Sequence, residues 1–177
     1  QNFDALFVQT TNIRSDLEKL GLRNVKYLTN LKRLIPVKEE ELVINNSKQL
    51  KVCLFSRITE DKGVIDAINA ISIANNKLGK KVFSLDIFGI VGADFQAKFY
   101  ELLDSNQDVV QYKGVANYNE TVGVLKNYFA LLFPTYFHGE GFPGCFIDAF
   151  NAGIPIIATD WLYNKDLITD GENGMLV

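Results

Sequence analysis

The chain has 177 residues, 47% of them hydrophobic and 22% charged, which is the makeup of one soluble globular domain with a sizeable core. Its formal net charge of −3 excludes a general nucleic-acid binder, which needs a dense basic surface to neutralise phosphates. Two cysteines in apolar settings, Cys53 and Cys145, and a single histidine, His138, suggest neither a zinc site nor a disulfide framework and point to a reducing, cytoplasmic compartment.

In chain order the first apolar run is DALFVQ (4–9), followed by a polar helix near 12–21 and the run VKYLT (25–29). The start QNFDALFVQ lacks the basic and apolar regions of a signal peptide, and no apolar run approaches the roughly 20 residues that span a bilayer. Residues 30–50 carry Pro36, clustered charge and no clean period, so they read as a connector and the first 30 residues as part of a neighbouring unit. KVCLFS (51–56) then begins a regular alternation: a helix from about Val64 to Leu78, FSLDIFG (83–89), a helix near 93–104, VVQYKG (109–114), a helix near 118–127 and FALLFP (129–134). A helix from Pro143 to Ala152 and the run PIIATD (155–160) follow.

Strands alternating with helices predict an α/β fold, a doubly wound, mainly parallel, Rossmann-like sheet with buried strands. Ligands of such sheets bind beyond the carboxyl ends of the strands. The loops in question are Ser56 to Gly63, Gly89 to Gly92, Gly114 to Ala116 and Pro134 to Gly144.

The stretch Phe137 to Asp160 carries the strongest functional signal. Glu140 precedes the turn Gly141-Phe142-Pro143-Gly144, Pro143 suits the first turn of a helix, and Gly153 and Pro155 stop it. Asp148 shares its helix face with Gly144, Cys145, Asn151 and Ala152, small residues that allow a ligand to approach. The plainer reading makes Asp148 a solvated helix residue and Glu140 a companion of the helix dipole.

Arg57 directly follows a strand and Lys62 precedes Gly63 at a helix start, a plausible diphosphate clamp in which fixed cations and backbone N–H groups act on one anion. The plainer reading has both solvent-exposed and balanced by Glu60 and Asp61. FGIVG (88–92) is no dinucleotide fingerprint. His138 lies beside Glu140 without a nucleophile in a recognisable elbow, so it is read as a loop residue within reach of a ligand and not as a catalyst.

Taken in order, Ser56-Arg57, Asp61-Lys62-Gly63, Gly114-Val115 and Glu140-GFPGCFI-Asp148, followed by NAGIPIIATD and ITDGENGMLV, resemble the nucleotide-sugar-binding domain of the retaining GT-B glycosyltransferases of group 1. The resemblance covers roughly Lys51 to Val177. It implies one half of a GT-B fold: residues 1–50 an N-terminal segment and connector from the domain junction, and 51–177 the donor domain, shortened at its C-terminus. It also implies a reaction in which a hexose moves from a nucleoside-diphosphate sugar to a glycan or lipid-linked acceptor, the acceptor being held by a missing N-terminal domain.

By that likeness Arg57 and Lys62 contact the donor diphosphate and, with Glu140, form the catalytic set, while Glu140 and the backbone of Gly141, Phe142, Pro143 and Gly144 meet the sugar hydroxyls. Asp148 takes the ribose and Val115 lies near the base. Ser56 stands where the family usually has glycine, and Asp148 where it has glutamate. No cofactor and no metal are implied, no nucleic-acid partner is expected, and the intact protein is expected in the cytoplasm with room for peripheral association at the inner membrane face. An isolated fragment of this kind is expected to be inactive in transfer. The rival readings are a GT-B-fold epimerase or phosphorylase-like enzyme, and a non-catalytic flavodoxin-like binding module. The donor-pocket reading requires Arg57 and Glu140 to meet around one crevice.

Overall fold

The computed structural model describes residues 3–32, 35–42 and 49–177. At the start of the chain β1 (Leu6–Val8), α1 (Thr11–Lys19) and β2 (Val25–Tyr27) form a small parallel β-α-β unit with Leu6 opposite Val25. The Thr10 side chain caps α1 by accepting the Ile13 N–H at 3.2 Å, and this unit's sheet is separate from the main one.

The main unit contains β3 (Leu50–Phe55), α2 (Val64–Leu78), β4 (Phe83–Phe88), α3 (Gln96–Asn106) and β5 (Val110–Gly114). It continues with α4 (Thr121–Leu125), β6 (Ala130–Phe133), α5 (Gly144–Ala152), β7 (Ile156–Ala158) and β8 (Gly174–Leu176). The six strands stand in the order β5-β4-β3-β6-β7-β8, and every neighbouring pair is parallel. This is the doubly wound sheet expected from the alternation.

Both faces of the sheet are apolar because both are covered by helices. On one face Val52, Leu54, Leu85 and Ile87 pack with Val64, Ile68 and Ile71 of α2 and with Phe99 of α3. On the other, Cys53, Leu131 and Phe133 pack with Leu125 of α4 and with Phe146 and Ala149 of α5. One polar group intrudes there: Asp86, mid-strand in β4, accepts the Tyr128 hydroxyl at 2.8 Å and lies 3.7 Å from the Lys113 ammonium. Burial first and the Asp86 carboxylate second push the Tyr128 phenol well above its ordinary range, so the hydroxyl stays a donor.

Several element limits differ from the sequence expectation. The stretch 93–104 is a 3₁₀ turn over Ala93–Phe95 followed by α3, and 118–127 contracts to the five-residue α4, where Gly123 and three β-branched residues favour helix weakly. Pro143 stands just outside α5 with ψ at 126°, as its N-cap, and not within the first turn. No helix among the described residues is long and apolar enough to cross a membrane.

The strand order reverses between β3 and β6. From β3 the chain winds outward through β4 and β5, and from β6 it winds the other way through β7 and β8. The crevice beyond the carboxyl ends of these two strands is where doubly wound sheets hold ligands. The Arg57–Lys62 loop and the Glu140 loop leave those two ends.

Candidate functional site

The loop after β3 is drawn toward the loop after β6 by backbone contacts that only glycine permits. Gly63 ends the 3₁₀ turn Glu60–Lys62 in the left-handed conformation, with φ at 70°, and a β-carbon there would fall 1.9 Å from the Pro134 carbonyl oxygen. The Tyr136 N–H donates to the Asp61 carbonyl at 2.9 Å. The loop after β4 joins the same assembly, since Ile58 bridges Val91 and the Gly92 N–H donates to the Ile58 carbonyl at 2.9 Å.

This packing carries Lys62 to Glu140. The ammonium lies 2.6 Å from Glu140 Oε2, and the two side chains are only 7% and 11% exposed. The Thr135 hydroxyl donates to the same oxygen at 3.0 Å and accepts the Phe137 N–H at 3.2 Å. Phe137 sits at the centre: its ring lies 4.2 Å from the Lys62 ammonium and 5.4 Å from the Arg57 guanidinium carbon. Arg57 is exposed and, with Thr59, Asp61, Gly92 and Phe137, lines a cavity of about 350 Å³. Arg57, Lys62 and Glu140 thus occupy one edge of the sheet around one aromatic ring, and Lys62 does not project into solvent beside Glu60 and Asp61.

The turn from Gly141 to Gly144 is held from outside. The Phe142 N–H donates to Gln9 Oε1 at 3.1 Å, and the Asn30 amide donates to the Phe142 carbonyl at 3.1 Å. Pro143 is buried. The N-cap residues Pro143 and Gly63 provide no side-chain cap for α5 or α2; in α5 the Phe146 N–H turns back to the Pro143 carbonyl at 3.1 Å, and the N–H groups ahead of it keep their capacity for an anionic or hydroxyl-bearing ligand.

Asp148 is neither solvated nor free. It is 6% exposed and paired at 2.5 Å with Lys32, from the connector. The same ammonium donates to the Thr121 hydroxyl at 3.0 Å and the Tyr118 carbonyl at 3.2 Å, and it lies 3.9 Å from the Tyr118 ring centre. Val115, in the loop after β5, is 64% exposed. His138 meets Trp161 edge-on, with ring centres 5.1 Å apart, while the Trp161 indole N–H donates to the Phe137 carbonyl at 2.9 Å.

Cys145, in the first turn of α5, has its thiol pushed up to about 12 by burial, with the Glu140 and Asp148 carboxylates adding to the effect. It remains protonated at neutral pH and is no thiolate nucleophile. Among the described residues no group of three or more His, Cys, Asp or Glu side chains could hold a metal ion.

Sequence reasoning missed Thr135, Phe137 and Lys32. Thr135 and Phe137 lie inside a loop already marked by its place after a strand. Lys32 lies 116 residues from Asp148 in a segment with no periodic signal, and nothing local announces it.

The family model described as glycosyl transferases group 1 matches residues 36–177. Among solved structures, a TarM mutant of S. aureus in complex with fondaparinux, α-GlcNAc-glycerol and UDP superposes with a TM-score of 0.80 at 19% identity, over 99% of this chain and 34% of that one. The pneumococcal O-GlcNAc transferase GtfA in complex with UDP and GlcNAc gives a TM-score of 0.79 at 24% identity, over 98% of this chain and 34% of that one. Anabaena HepE in complex with UDP-glucose gives 0.77 at 15%, over 98% of this chain and 50% of that one. The chain therefore spans between a third and a half of the length of these structures, and at such identities the likeness speaks to the fold. No curated protein matches the sequence.

Proposed function

This chain belongs to the group 1 glycosyl transferases, and we propose that it forms the donor-binding half of a retaining enzyme that moves a hexose from a nucleoside diphosphate to an acceptor hydroxyl. The observation that carries the reading is the buried Lys62–Glu140 pair, 2.6 Å apart at the point where the strand order reverses, with Arg57 beside the same aromatic ring. A flavodoxin-like interaction module has no need to bury an ammonium and a carboxylate at that point, because such burial costs desolvation and adds little stability.

In this reading breakage of the glycosidic bond leaves charge on the diphosphate, and the protein's task is to hold that charge. An ammonium has three donors, and Lys62 commits one to Glu140, which leaves the others for phosphate oxygens. Arg57 supplies a second fixed cation, and the uncapped starts of α2 and α5 supply oriented N–H groups. Glu140, fixed by Lys62 and Thr135, accepts from sugar hydroxyls and positions the ring. The turn from Gly141 to Gly144 lies against the sugar, Asp148 takes the ribose and Val115 borders the base. The acceptor, a glycan or a lipid-linked sugar, is held by another domain of the intact protein, with peripheral association at the inner membrane face where the acceptor is a lipid.

The test is a thermal-shift and calorimetric screen of UDP-, GDP- and ADP-sugars against the chain, because a ligand that binds only the folded state raises its apparent stability. UDP-sugars come first, since TarM, GtfA and HepE were each crystallised with UDP or UDP-glucose. Glu140→Ala is expected to weaken binding of the nucleotide sugar more than of the free nucleotide, and Arg57→Ala to weaken both. Identical titrations for wild type and both variants would refute the assignment.

A further inference from the structure

The ammonium of Lys32 is gathered into four contacts by parts of the chain that are remote in sequence. It meets Asp148 of α5 at 2.5 Å, the Thr121 hydroxyl at the start of α4 at 3.0 Å, the Tyr118 carbonyl at 3.2 Å and the Tyr118 ring at 3.9 Å. The side chain is 11% exposed although most of the described residues of the connector that bears it are exposed. A surface lysine gains little from a single ion pair and keeps its rotamer freedom. Withdrawal of this one from solvent, onto a carboxylate that is itself 9% exposed, leaves both charges dependent on each other.

The contact orients the carboxylate. Oδ1 is engaged by the ammonium, and a carboxylate has about four acceptor sites in all, so acceptor capacity remains on Oδ2 and on the second lone pair of Oδ1. Lys32 itself, with Tyr118, Thr121 and Lys126 among others, lines a groove of about 610 Å³. Tyr118 is 67% exposed despite the cation packed against its ring, which leaves aromatic surface open to the groove. One ammonium thus links a carboxylate with free lone pairs to an exposed aromatic ring, an acceptor and a flat apolar face that match a nucleoside, a vicinal diol joined to a flat base.

From this geometry we infer that Lys32 is a positioning residue of the nucleoside site. By fixing the Asp148 carboxylate and the Tyr118 ring together, it sets the selectivity for a ribose over a deoxyribose. The inference rests on the proposed donor reading and adds to it a role for the connector, which takes part in recognition and does not merely link. Lys32 touches neither the sugar to be transferred nor the bond that breaks, so it acts through Asp148.

The experiment is calorimetric titration of the whole chain with UDP and GDP and with their 2′-deoxy counterparts, for wild type, Lys32→Met, Lys32→Arg and Asp148→Asn. Wild type is expected to prefer the ribonucleotide by about tenfold, the size of one charge-assisted hydrogen bond. Lys32→Met loses most of that preference, while Lys32→Arg, which keeps the charge, retains a large part of it. A merely structural role would weaken ribo- and deoxynucleotide equally, so a Lys32→Met protein that keeps the tenfold ratio overturns the inference. Tighter binding by Lys32→Met also overturns it, since the lysine would then be a competitor for the carboxylate. If Asp148→Asn keeps the ribose preference, or wild type shows none, the assignment of Asp148 to the ribose falls and this inference with it. If Asp148→Asn abolishes the preference and Lys32→Met does not, the role of Lys32 alone falls.

Discussion

The two buried ion pairs among the described residues are alike in chemistry and nearly alike in exposure, and they differ in what they join. Lys62 and Glu140 stand on loops that leave adjacent strands, β3 and β6, and those loops are locked by the approach of Gly63 to Pro134 and by the Tyr136–Asp61 hydrogen bond. Lys32 and Asp148 join α5 to a connector with neither strand nor α-helix among its described residues from 30 to 42, tied by the Asn30 amide to the Phe142 carbonyl at 3.1 Å, by the Val37 N–H to the Asn151 carbonyl at 2.9 Å and by Glu41, 3.6 Å from the Lys126 ammonium. When one partner of a pair between fixed elements is removed, the other charge cannot escape. When one partner sits on a segment whose described residues are mostly exposed, water is close at hand to solvate the charge that remains. The comparison teaches that burial alone does not set the worth of an ion pair; how firmly its carriers are held does.

The severest way to break the comparison is to unlock the first pair at its base. Gly63→Ala places a methyl group where the Pro134 carbonyl already is, at a φ of 70°, and is expected to cost more than about 4 kcal/mol or to prevent folding, by urea denaturation followed by circular dichroism. Gly79→Ala is the control, because its φ is 64° but open space surrounds it, and it should cost only about 1 kcal/mol. Equal costs for the two would remove the claim that the loops are locked.

Next, Lys62→Met leaves Glu140 buried with Thr135 as its one remaining side-chain partner among the described residues and should cost about 3–5 kcal/mol in the same measurement. Lys32→Met leaves Asp148 unpaired beneath a segment whose described residues are mostly exposed, for which about 1–2 kcal/mol is expected. A larger loss from Lys32 than from Lys62 would reverse the comparison and make the connector the stiffer element. The smallest effect is that of Arg57→Ala. The exposed guanidinium contributes within about 0.5 kcal/mol to stability, while loss of its charge lowers affinity for free nucleoside diphosphate in titration. A large loss of stability would place Arg57 in the framework and weaken its reading as a ligand contact.

Five of the six strands of the main sheet, β3 to β7, were legible in the sequence because each announces itself as a short apolar run between helical stretches, whereas the short edge strand β8, only partly buried, did not. KVCLFS and FALLFP differ from β3 and β6 only at their ends. The same logic marked the loops, since a strand end followed by Arg57 and Lys62, or by Glu140 and its glycines, is visible in one dimension. Helix limits such as those of α4 were less legible, because turns of Tyr118 to Glu120 and a weak helical stretch around Gly123 look alike without their neighbours.

By itself the sequence determined the α/β alternation, the positions of the loops and the chemical types offered at each, through periodicity and turn chemistry acting over a few residues. Only the tertiary structure decided which charges pair. That Lys62 meets Glu140 across 78 residues, with Lys32 taking Asp148 across 116, depends on strand order and on how closely backbones approach. These are properties of packing in three dimensions, and no local pattern encodes them.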